Sequence, residues 1–254
     1  MKAVGFWQPG ESTSVIEDLS LPHPSMPKGR DLLIRVRAVA VNPRDLKSRR
    51  NISPSAGNPV VMGYDASGVV EATGPDVTLF RPGDHVFYAG VLDRQGANAE
   101  FQLVDERITG IKPAALSFEA AASVPLTGLT AWEMLFDRLQ LSVNGDADQT
   151  LLMLGGAGGV PCMAIQLART LSRVNIIGTA SRQESVRAVR GFGAHSWIIH
   201  VRLRHRLPAL LDSLPLPGFS QRTPRHLPGK IWPKLLPHKA VSDSSTTLNH
   251  WICV

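Results

Sequence analysis

The alternation of apolar and polar residues predicts a β-rich first half of the chain. The segment 32–41 places apolar side chains on one face and Arg35 and Arg37 on the other, as in a half-buried strand. Turn chemistry follows it at Asn42-Pro43. Three more apolar runs, bounded by Gly, Pro and Asp, lie at 68–72, 86–88 and 101–104. Many short strands with few helices indicate an antiparallel, barrel-type domain.

The apolar period becomes helical over residues 129–139, which predicts a change of architecture after residue 125. Residues 151–154 are a continuous apolar run, typical of a parallel strand that is covered on both faces. The segments that follow are a helical stripe at 160–171 and strands at 174–179 and 197–200. The order strand, helix, strand, helix, strand predicts one half of a doubly wound parallel sheet, which is an incomplete Rossmann domain of the α/β class.

Beyond residue 200 the periodic pattern stops. Seven prolines fall between 201 and 254, so no helix or central strand of useful length is expected there. The net charge of +6 also arises there, because this segment holds eight basic and two acidic residues. We therefore predict domains at 1–125 and 126–200, followed by an aberrant, poorly ordered tail at 201–254.

Composition excludes several classes of protein. Cys162 and Cys253 are the only cysteines, so one chain cannot form a disulfide framework or a four-cysteine metal site, which suits a reducing cytoplasm. The N-terminus lacks a signal-peptide pattern, and no apolar run approaches the roughly 18 residues of a membrane span. Because the excess positive charge is confined to the tail, no specific nucleic-acid partner is expected. We expect a cytoplasmic protein without a membrane partner.

A glycine-rich loop follows the buried strand and precedes the helical stripe. In this context its backbone can approach a pyrophosphate, whose charge the helix N-terminus stabilises. The residues assigned to the cofactor here are Gly155, Gly156, Gly158, Gly159 and Val160. An ordinary strand-to-helix turn is the alternative interpretation. Pro161 occupies the third glycine position of the dinucleotide motif, and its missing N–H and added bulk are expected to weaken binding.

The end of the next strand indicates which dinucleotide would bind. An NAD enzyme places an acidic residue here for the ribose 2′-hydroxyl. Ser181 and Arg182 instead present a hydroxyl and a guanidinium, which suit a 2′-phosphate. This predicts NADPH as the cofactor. The alternative interpretation is that Arg182 is a solvated surface arginine without a role in binding.

Five motifs occur in a fixed order along the chain: Val41-Asn-Pro-Arg-Asp45, Gly63-Tyr-Asp-Ala-Ser-Gly68, Pro82-Gly-Asp-His-Val86, Pro125-Leu-Thr-Gly-Leu-Thr-Ala-Trp132 and Gly155-Gly-Ala-Gly-Gly-Val160. This order resembles that of the quinone oxidoreductase-like members of the medium-chain dehydrogenase/reductase superfamily. The resemblance runs from Met1 to about His200. Through Phe87–Gly90, Ala97–Phe101 and Trp132–Phe136 it is nearest to the proteins called zinc-type alcohol dehydrogenase-like.

The resemblance implies a GroES-like catalytic domain followed by a Rossmann cofactor domain. Zinc-dependent relatives carry a cysteine after the first long strand and a Gly-His-Glu motif, whereas these places read Asn42–Asp45 and Gly63-Tyr-Asp65. The resemblance therefore implies direct hydride transfer from NADPH to a quinone or an α,β-unsaturated carbonyl (enone), without catalytic zinc. Family members often form homodimers through the second Rossmann half, which leaves the oligomeric state of this chain open.

Three residues match positions that the family uses at its site. Asn42 and Tyr64 would donate hydrogen bonds to the enolate oxygen that develops during hydride transfer, and Thr127 would face the nicotinamide. A turn asparagine, a packing tyrosine and a helix N-cap are the alternative interpretations. His85 is expected to be a half-buried strand histidine with a hydrogen-bond partner rather than a metal ligand. The resemblance makes Asp65 structural, bonded to backbone groups.

Two hypotheses about function follow. The first is an NADPH-dependent quinone or enone oxidoreductase, as the ordered motifs indicate. The second is a truncated or frameshifted, non-catalytic family member with weak or no cofactor binding, which the change of composition near residue 200 motivates. Oxidation of NADPH by a simple quinone distinguishes them.

Overall fold

The structure is a computed structural model that describes residues 1–55 and 57–199. The chain divides into two compact units between Leu126 and Thr127. The tail predicted at 201–254, and His200 at the end of the third predicted Rossmann strand, lie outside the described residues. Within the described part of the chain, no helix has both the length and the apolar character needed to cross a membrane.

Antiparallel strands dominate the first unit. The strands of the smaller sheet are β1 (Lys2–Phe6), β2 (Glu17–Ser20) and β4 (Val60–Val61), in the order β2-β1-β4. The strands of the larger sheet are β3 (Asp31–Val39), β5 (Asp65–Thr73), β6 (His85–Ala89), β7 (Phe101–Asp105) and β8 (Thr109–Ile111), in the order β7-β3-β5-β6-β8. The described strands thus form two sheets, without the barrel closure that the strand pattern suggested.

The centre of the larger sheet forms the main core of the first unit. Strand β3 pairs antiparallel with β5 from Leu32 opposite Thr73 to Val39 opposite Ala66, and two register shifts bend this ladder. The side chains of this core are Leu32, Ile34, Ala66, Val70, Val86, Tyr88, Ala97 and Val104. The strands predicted from alternation are confirmed here, and β5 extends to Asp65 because the ladder with β3 continues beyond the apolar run.

A helix stands where the sequence pattern predicted only a turn. Helix α1 (Pro43–Asn51) begins directly after Asn42, has proline at its first position and carries Asp45 in its first turn. Its buried residues are polar, so it has no apolar stripe that could reveal it. A second short helix, α2 (Phe118–Ala122), contacts β3 and β5.

The second unit contains a parallel sheet with two helices that follow its strands. The strands are β9 (Thr150–Met153), β10 (Asn175–Ala180) and β11 (Ser196–Ile199), in the order β11-β10-β9. The helices are α4 (Gly159–Leu171) and α5 (Gln183–Gly191). This is the strand, helix, strand, helix, strand order that the sequence predicted. Helix α5 lies so close to β10 that a Cβ at Gly178 would be 2.3 Å from Val189 Cγ1.

The chain passes from the first unit to the second within helix α3 (Pro125–Trp132), which confirms the predicted helix in this region. A π-helical segment, Glu133–Arg138, continues it. Such segments are rare and have no sequence signature in apolar spacing.

Strand β9 is not covered on both faces by described residues, contrary to its apolar sequence. Leu151 and Met153 are buried, whereas Leu152 on the other face is 42% exposed. Ile198 of β11 shares that face and is similarly exposed. A continuous apolar run indicates that both faces pack, but it does not identify the second layer.

Candidate functional site

The glycine-rich loop joins β9 to α4, as the sequence predicted. Gly155 has a φ of +61°, a left-handed conformation that glycine adopts without strain. Gly158 is the N-cap of α4, so the positive end of the helix dipole lies at the loop. This places the loop and the helix N-terminus where a phosphate group could meet both.

The hydrogen bonds of the loop leave three backbone N–H groups available. The Gly158 N–H donates to the Gly155 carbonyl oxygen over 2.8 Å. Within the described residues, no hydrogen bond uses the N–H of Ala157, Gly159 or Val160. Unpaired N–H groups at a helix N-terminus bind phosphate oxygens. The loop therefore fits the pyrophosphate of a dinucleotide.

Pro161 is the third residue of α4, where a backbone N–H has no intrahelical acceptor in any case. The proline therefore removes no helical hydrogen bond. It does remove an N–H donor from the first turn of α4, beside those of Gly159 and Val160, as expected from the sequence.

Thr179 is a residue of this site that sequence reasoning missed. It lies in β10 and is 2% exposed. Its hydroxyl oxygen accepts a hydrogen bond from the Gly155 N–H over 2.9 Å, and its carbonyl oxygen accepts one from the Gly156 N–H over 2.8 Å. The contact depends on the register of β9 and β10, which no motif in the sequence specifies.

Ser181 and Arg182 follow β10 directly, and both are exposed. Arg182 precedes the first residue of α5. In the described part of the chain, the Arg182 guanidinium forms no ion pair. Its charge is thus available to an anionic group at the end of the strand.

Thr127 lies beside the glycine-rich loop in the second unit. A Cβ at Gly159 would be 3.3 Å from Thr127 Cγ2. Helix α3 begins two residues earlier, at Pro125, so Thr127 is inside the first turn and not an N-cap. The structure thus brings Thr127 and the loop together.

In the first unit, Asn42 is hydrogen-bonded to two acidic residues. Its Nδ2 donates to Asp65 Oδ2 over 2.8 Å and makes a longer contact of 3.4 Å with the Ala40 carbonyl oxygen. Its backbone N–H donates to Asp45 Oδ2 over 2.7 Å, which closes the N-terminus of α1. The carboxamide of Asn42 is therefore held at the junction of β3, α1 and β5.

Asp65 is almost without solvent contact, with 1% exposure. Its Oδ1 accepts a hydrogen bond from the Leu126 N–H over 2.7 Å, near the start of α3. Burial raises the pKa of Asp65 to about 7, against the opposing effect of the hydrogen bonds from Asn42 and Leu126. The nearby Asp45, whose own pKa is raised by burial, adds to the shift.

Tyr64 is buried beside Asp65, and the Arg44 guanidinium lies 5.8 Å from its ring centre. Asn42 and Asp65 are thus bonded to each other, whereas the described residues contain no hydrogen bond between Tyr64 and either of them.

His85 is not the half-buried histidine with a hydrogen-bond partner that the sequence predicted. It is exposed at the start of β6, and its contact is with the Phe118 ring, 5.0 Å away between centres, because the strand begins at the surface. Across residues 1–55 and 57–199, no group of three or more His, Cys, Asp or Glu side chains is arranged to hold a metal ion.

Comparison with known proteins identifies the family. Residues 28–128 match the alcohol dehydrogenase GroES-like domain. A zinc-type alcohol dehydrogenase-like protein of Staphylococcus aureus is 42% identical over 204 residues, which are 79% of this chain and 60% of the relative. A solved structure from Rhizobium etli, named for the zinc-dependent alcohol dehydrogenases, is 49% identical with a TM-score of 0.74, covering 83% of this chain and 62% of that one. The chain belongs to the medium-chain dehydrogenase/reductase superfamily.

This membership confirms the family and the fold class that the ordered motifs predicted. A further medium-chain structure, the quinone oxidoreductase of Escherichia coli complexed with NADPH, is 27% identical with a TM-score of 0.68, covering 84% of this chain and 63% of that one. The match is partial, since the aligned region spans 60% of the length of the Staphylococcus aureus relative.

Proposed function

We propose that this member of the medium-chain dehydrogenase/reductase superfamily is an NADPH-dependent oxidoreductase. It transfers hydride to a quinone or an α,β-unsaturated carbonyl without catalytic zinc. The observation that carries the proposal is the glycine-rich loop and the first turn of α4, which leave the N–H groups of Ala157, Gly159 and Val160 free. Bound NADPH would supply the hydride from its nicotinamide ring.

The choice of NADPH over NADH rests on Ser181 and Arg182. They are exposed at the carboxyl end of the second strand, where a ribose 2′-substituent is recognised in this fold. A guanidinium and a hydroxyl bind a phosphate, whereas a 2′-hydroxyl calls for a carboxylate acceptor that this position lacks. The NADPH in the Escherichia coli quinone oxidoreductase is consistent with this choice.

At the substrate end, we assign Asn42 to the oxygen that gains charge as hydride arrives. Asp65 takes one Nδ2 hydrogen, and the other makes only the 3.4 Å contact with the Ala40 oxygen. That second hydrogen is the donor we assign to the substrate, and we assign Tyr64 to the same oxygen from its place in the family motif. Thr127 is assigned to the nicotinamide side because it lies beside the loop.

The names of several relatives refer to zinc, yet the residues of this chain favour chemistry without it. The segments that carry zinc ligands in those enzymes read Asn42–Asp45 and Gly63–Asp65 here, without cysteine or histidine. We therefore assign stabilisation of the developing oxyanion to hydrogen-bond donors. Elemental analysis of the purified chain should find less than stoichiometric zinc, and one tightly held zinc per chain would contradict the assignment.

Titration of the intact chain with NADPH and NADH, followed by cofactor fluorescence, tests the cofactor assignment. Arg182→Ala should weaken NADPH binding by roughly one to two orders of magnitude and change NADH binding little. Arg173→Ala is the matched control, because Arg173 is an exposed arginine before β10, away from the carboxyl end of the strand. Equal losses for both cofactors in Arg182→Ala would refute the assignment.

Oxidation of NADPH by a simple quinone and by an enone then tests the reaction. Turnover with either substrate supports the proposal. Binding of NADPH without turnover, or no binding of either dinucleotide, would favour the second hypothesis of a non-catalytic family member.

A further inference from the structure

We propose that Thr179 is a positioning residue for the cofactor, because it holds the glycine-rich loop in the form that leaves three N–H groups free for the pyrophosphate. The proposal rests on the dinucleotide site assigned above and extends it to a residue outside the glycine motif. Thr179 acts on the loop through Gly155 and Gly156, without contacting the cofactor itself.

Two successive N–H groups of the loop are bonded to this one residue. The Gly155 N–H donates to the Thr179 side chain, and the Gly156 N–H donates to the Thr179 main chain. Regular pairing of β9 with β10 ends at Met153 opposite Gly178. Thr179 therefore extends the contact between the strands by one residue, at the point where the chain leaves the sheet.

This double contact helps to decide which N–H groups of the loop are hydrogen-bonded within the protein and which are free. Gly155 and Gly156 use theirs inward, and the Gly158 N–H closes a turn onto Gly155. The groups that remain are those of Ala157, Gly159 and Val160. Loss of the hydrogen bond at Gly155 would let the loop adopt other conformations, in which these three groups would no longer be held in place for a pyrophosphate.

Packing restrains the other side of the loop. A Cβ at Gly156 would lie 2.8 Å from Val189 Cγ2 of α5, so the loop packs closely against that helix. The threonine hydroxyl provides the complementary restraint on Gly155, where packing gives none, since nothing lies within 4 Å of a Cβ at that position. Loss of the Thr179 hydroxyl should therefore disturb the conformation of the loop more than loss of a peripheral hydrogen bond would.

The experiment compares side chains with and without this oxygen. Thr179→Val keeps the shape of the side chain and removes the acceptor, Thr179→Ala removes the acceptor and the branch, and Thr179→Ser keeps the acceptor. Thr170→Val is the control, because Thr170 is exposed near the end of α4. Amide hydrogen exchange at Gly155, measured by NMR, reports the loop, and fluorescence titration with NADPH and NADH reports binding.

Thr179→Val and Thr179→Ala should speed amide hydrogen exchange at Gly155. Both should also weaken the binding of NADPH and of NADH by the same factor, roughly three- to tenfold. The equal factor follows because Ser181 and Arg182, not Thr179, discriminate the 2′-substituent. Thr179→Ser and Thr170→Val should match the wild type in both measurements.

Faster exchange at Gly155 with unchanged affinity would overturn the proposal, since Thr179 would then be structural only. A loss confined to NADPH would also overturn it, because Thr179 would then belong to the 2′-phosphate site. If the wild-type chain binds neither dinucleotide, the proposed function fails and the cofactor role of Thr179 fails with it. The exchange data would in that case still show whether Thr179 holds the loop.

Discussion

The buried carboxyl group of Asp65 makes the stability of the first unit depend on pH. Its pKa rises to about 7 in the folded chain from 3.8, and Asp45 and Asn42 are the polar side chains that face it. The stability that Asp65 contributes is complete below pH 3.8 and is lost as pH rises through about 7. Protonation of Asp65 in the folded state therefore favours the fold in mildly acidic solution.

We predict that the free energy of unfolding falls by roughly 2 kcal/mol between pH 5 and pH 8 through this group. Asp65→Asn should reduce that dependence, since the amide does not titrate, although it also loses one acceptor for Asn42 or Leu126. Urea unfolding at several pH values measures the effect. Asp18→Asn, an exposed carboxylate on β2, serves as the control and should retain the wild-type dependence. An unaltered pH dependence in Asp65→Asn would contradict the prediction.

Pro161 allows a second prediction at the scale of one residue. Pro161→Gly restores an N–H in the first turn of α4 and removes bulk, so NADPH binding should strengthen by up to about tenfold. Pro161→Ala restores the same N–H and keeps a Cβ, so an equal gain would assign the effect to the donor. Fluorescence titration measures both variants. Unchanged or weaker affinity in both would mean that the first turn does not contact the pyrophosphate.

Single residues also mark where sequence reasoning ends. Gly155 and Arg182 could be proposed from the sequence because a phosphate site demands particular residue types in a particular order. Thr179 could not, because its role depends on which atoms β10 places opposite the end of β9. Asn42 stands between these cases: its place in an ordered motif could be read from the sequence, whereas its hydrogen bond to Asp65, 23 residues away, depends on the fold.

Among the elements, those with apolar periodicity were predictable and those without it were not. Strand β3 and helix α4 bury apolar side chains at regular spacing, so their patterns identify them. Helix α1 buries polar residues, and its signal was the combination of Asn42, Pro43 and Asp45 at its start. Strand β4 has two residues, which is too short for any period.

The segment joining β7 to β8 depends on one fully buried carboxylate. Glu106 accepts hydrogen bonds from the N–H groups of Thr78 and Leu79 and from Arg30 Nη1, over 2.9, 2.8 and 2.6 Å. If glutamine replaced Glu106, its side-chain oxygen could accept from the two backbone donors, but its NH₂ group would then face the Arg30 guanidinium. The buried network would be left with unmatched donors.

We predict that Glu106→Gln lowers the free energy of unfolding by about 1.5 to 3 kcal/mol. Glu71→Gln is the matched control, because Glu71 forms an exposed ion pair with Arg35 and should cost no more than about 1 kcal/mol. Urea unfolding of both variants near neutral pH measures the difference. Equal costs for the two substitutions would show that burial of Glu106 adds nothing to its interactions.

For the whole molecule, the two units carry different parts of the proposed chemistry. The loop, Thr127 and Arg182 belong to the second unit, whereas Asn42 and Asp65 belong to the first. Cofactor binding should therefore protect particular backbone amides of the second unit. The amides of β3 are already paired within the larger sheet and provide an internal reference.

We predict that NADPH added to the full chain slows amide hydrogen exchange within residues 155–160, at Ala157, Gly159 and Val160, because these free N–H groups would bind phosphate oxygens. Residues 31–36 of β3 should keep their exchange rates. A ligand that binds only the folded chain also raises the free energy of unfolding, by about 2.7 kcal/mol when its concentration is a hundred times Kd. The melting temperature rises accordingly. A raised melting temperature without protection at 155–160 would place NADPH elsewhere on the protein, and the loop would then lose its assignment.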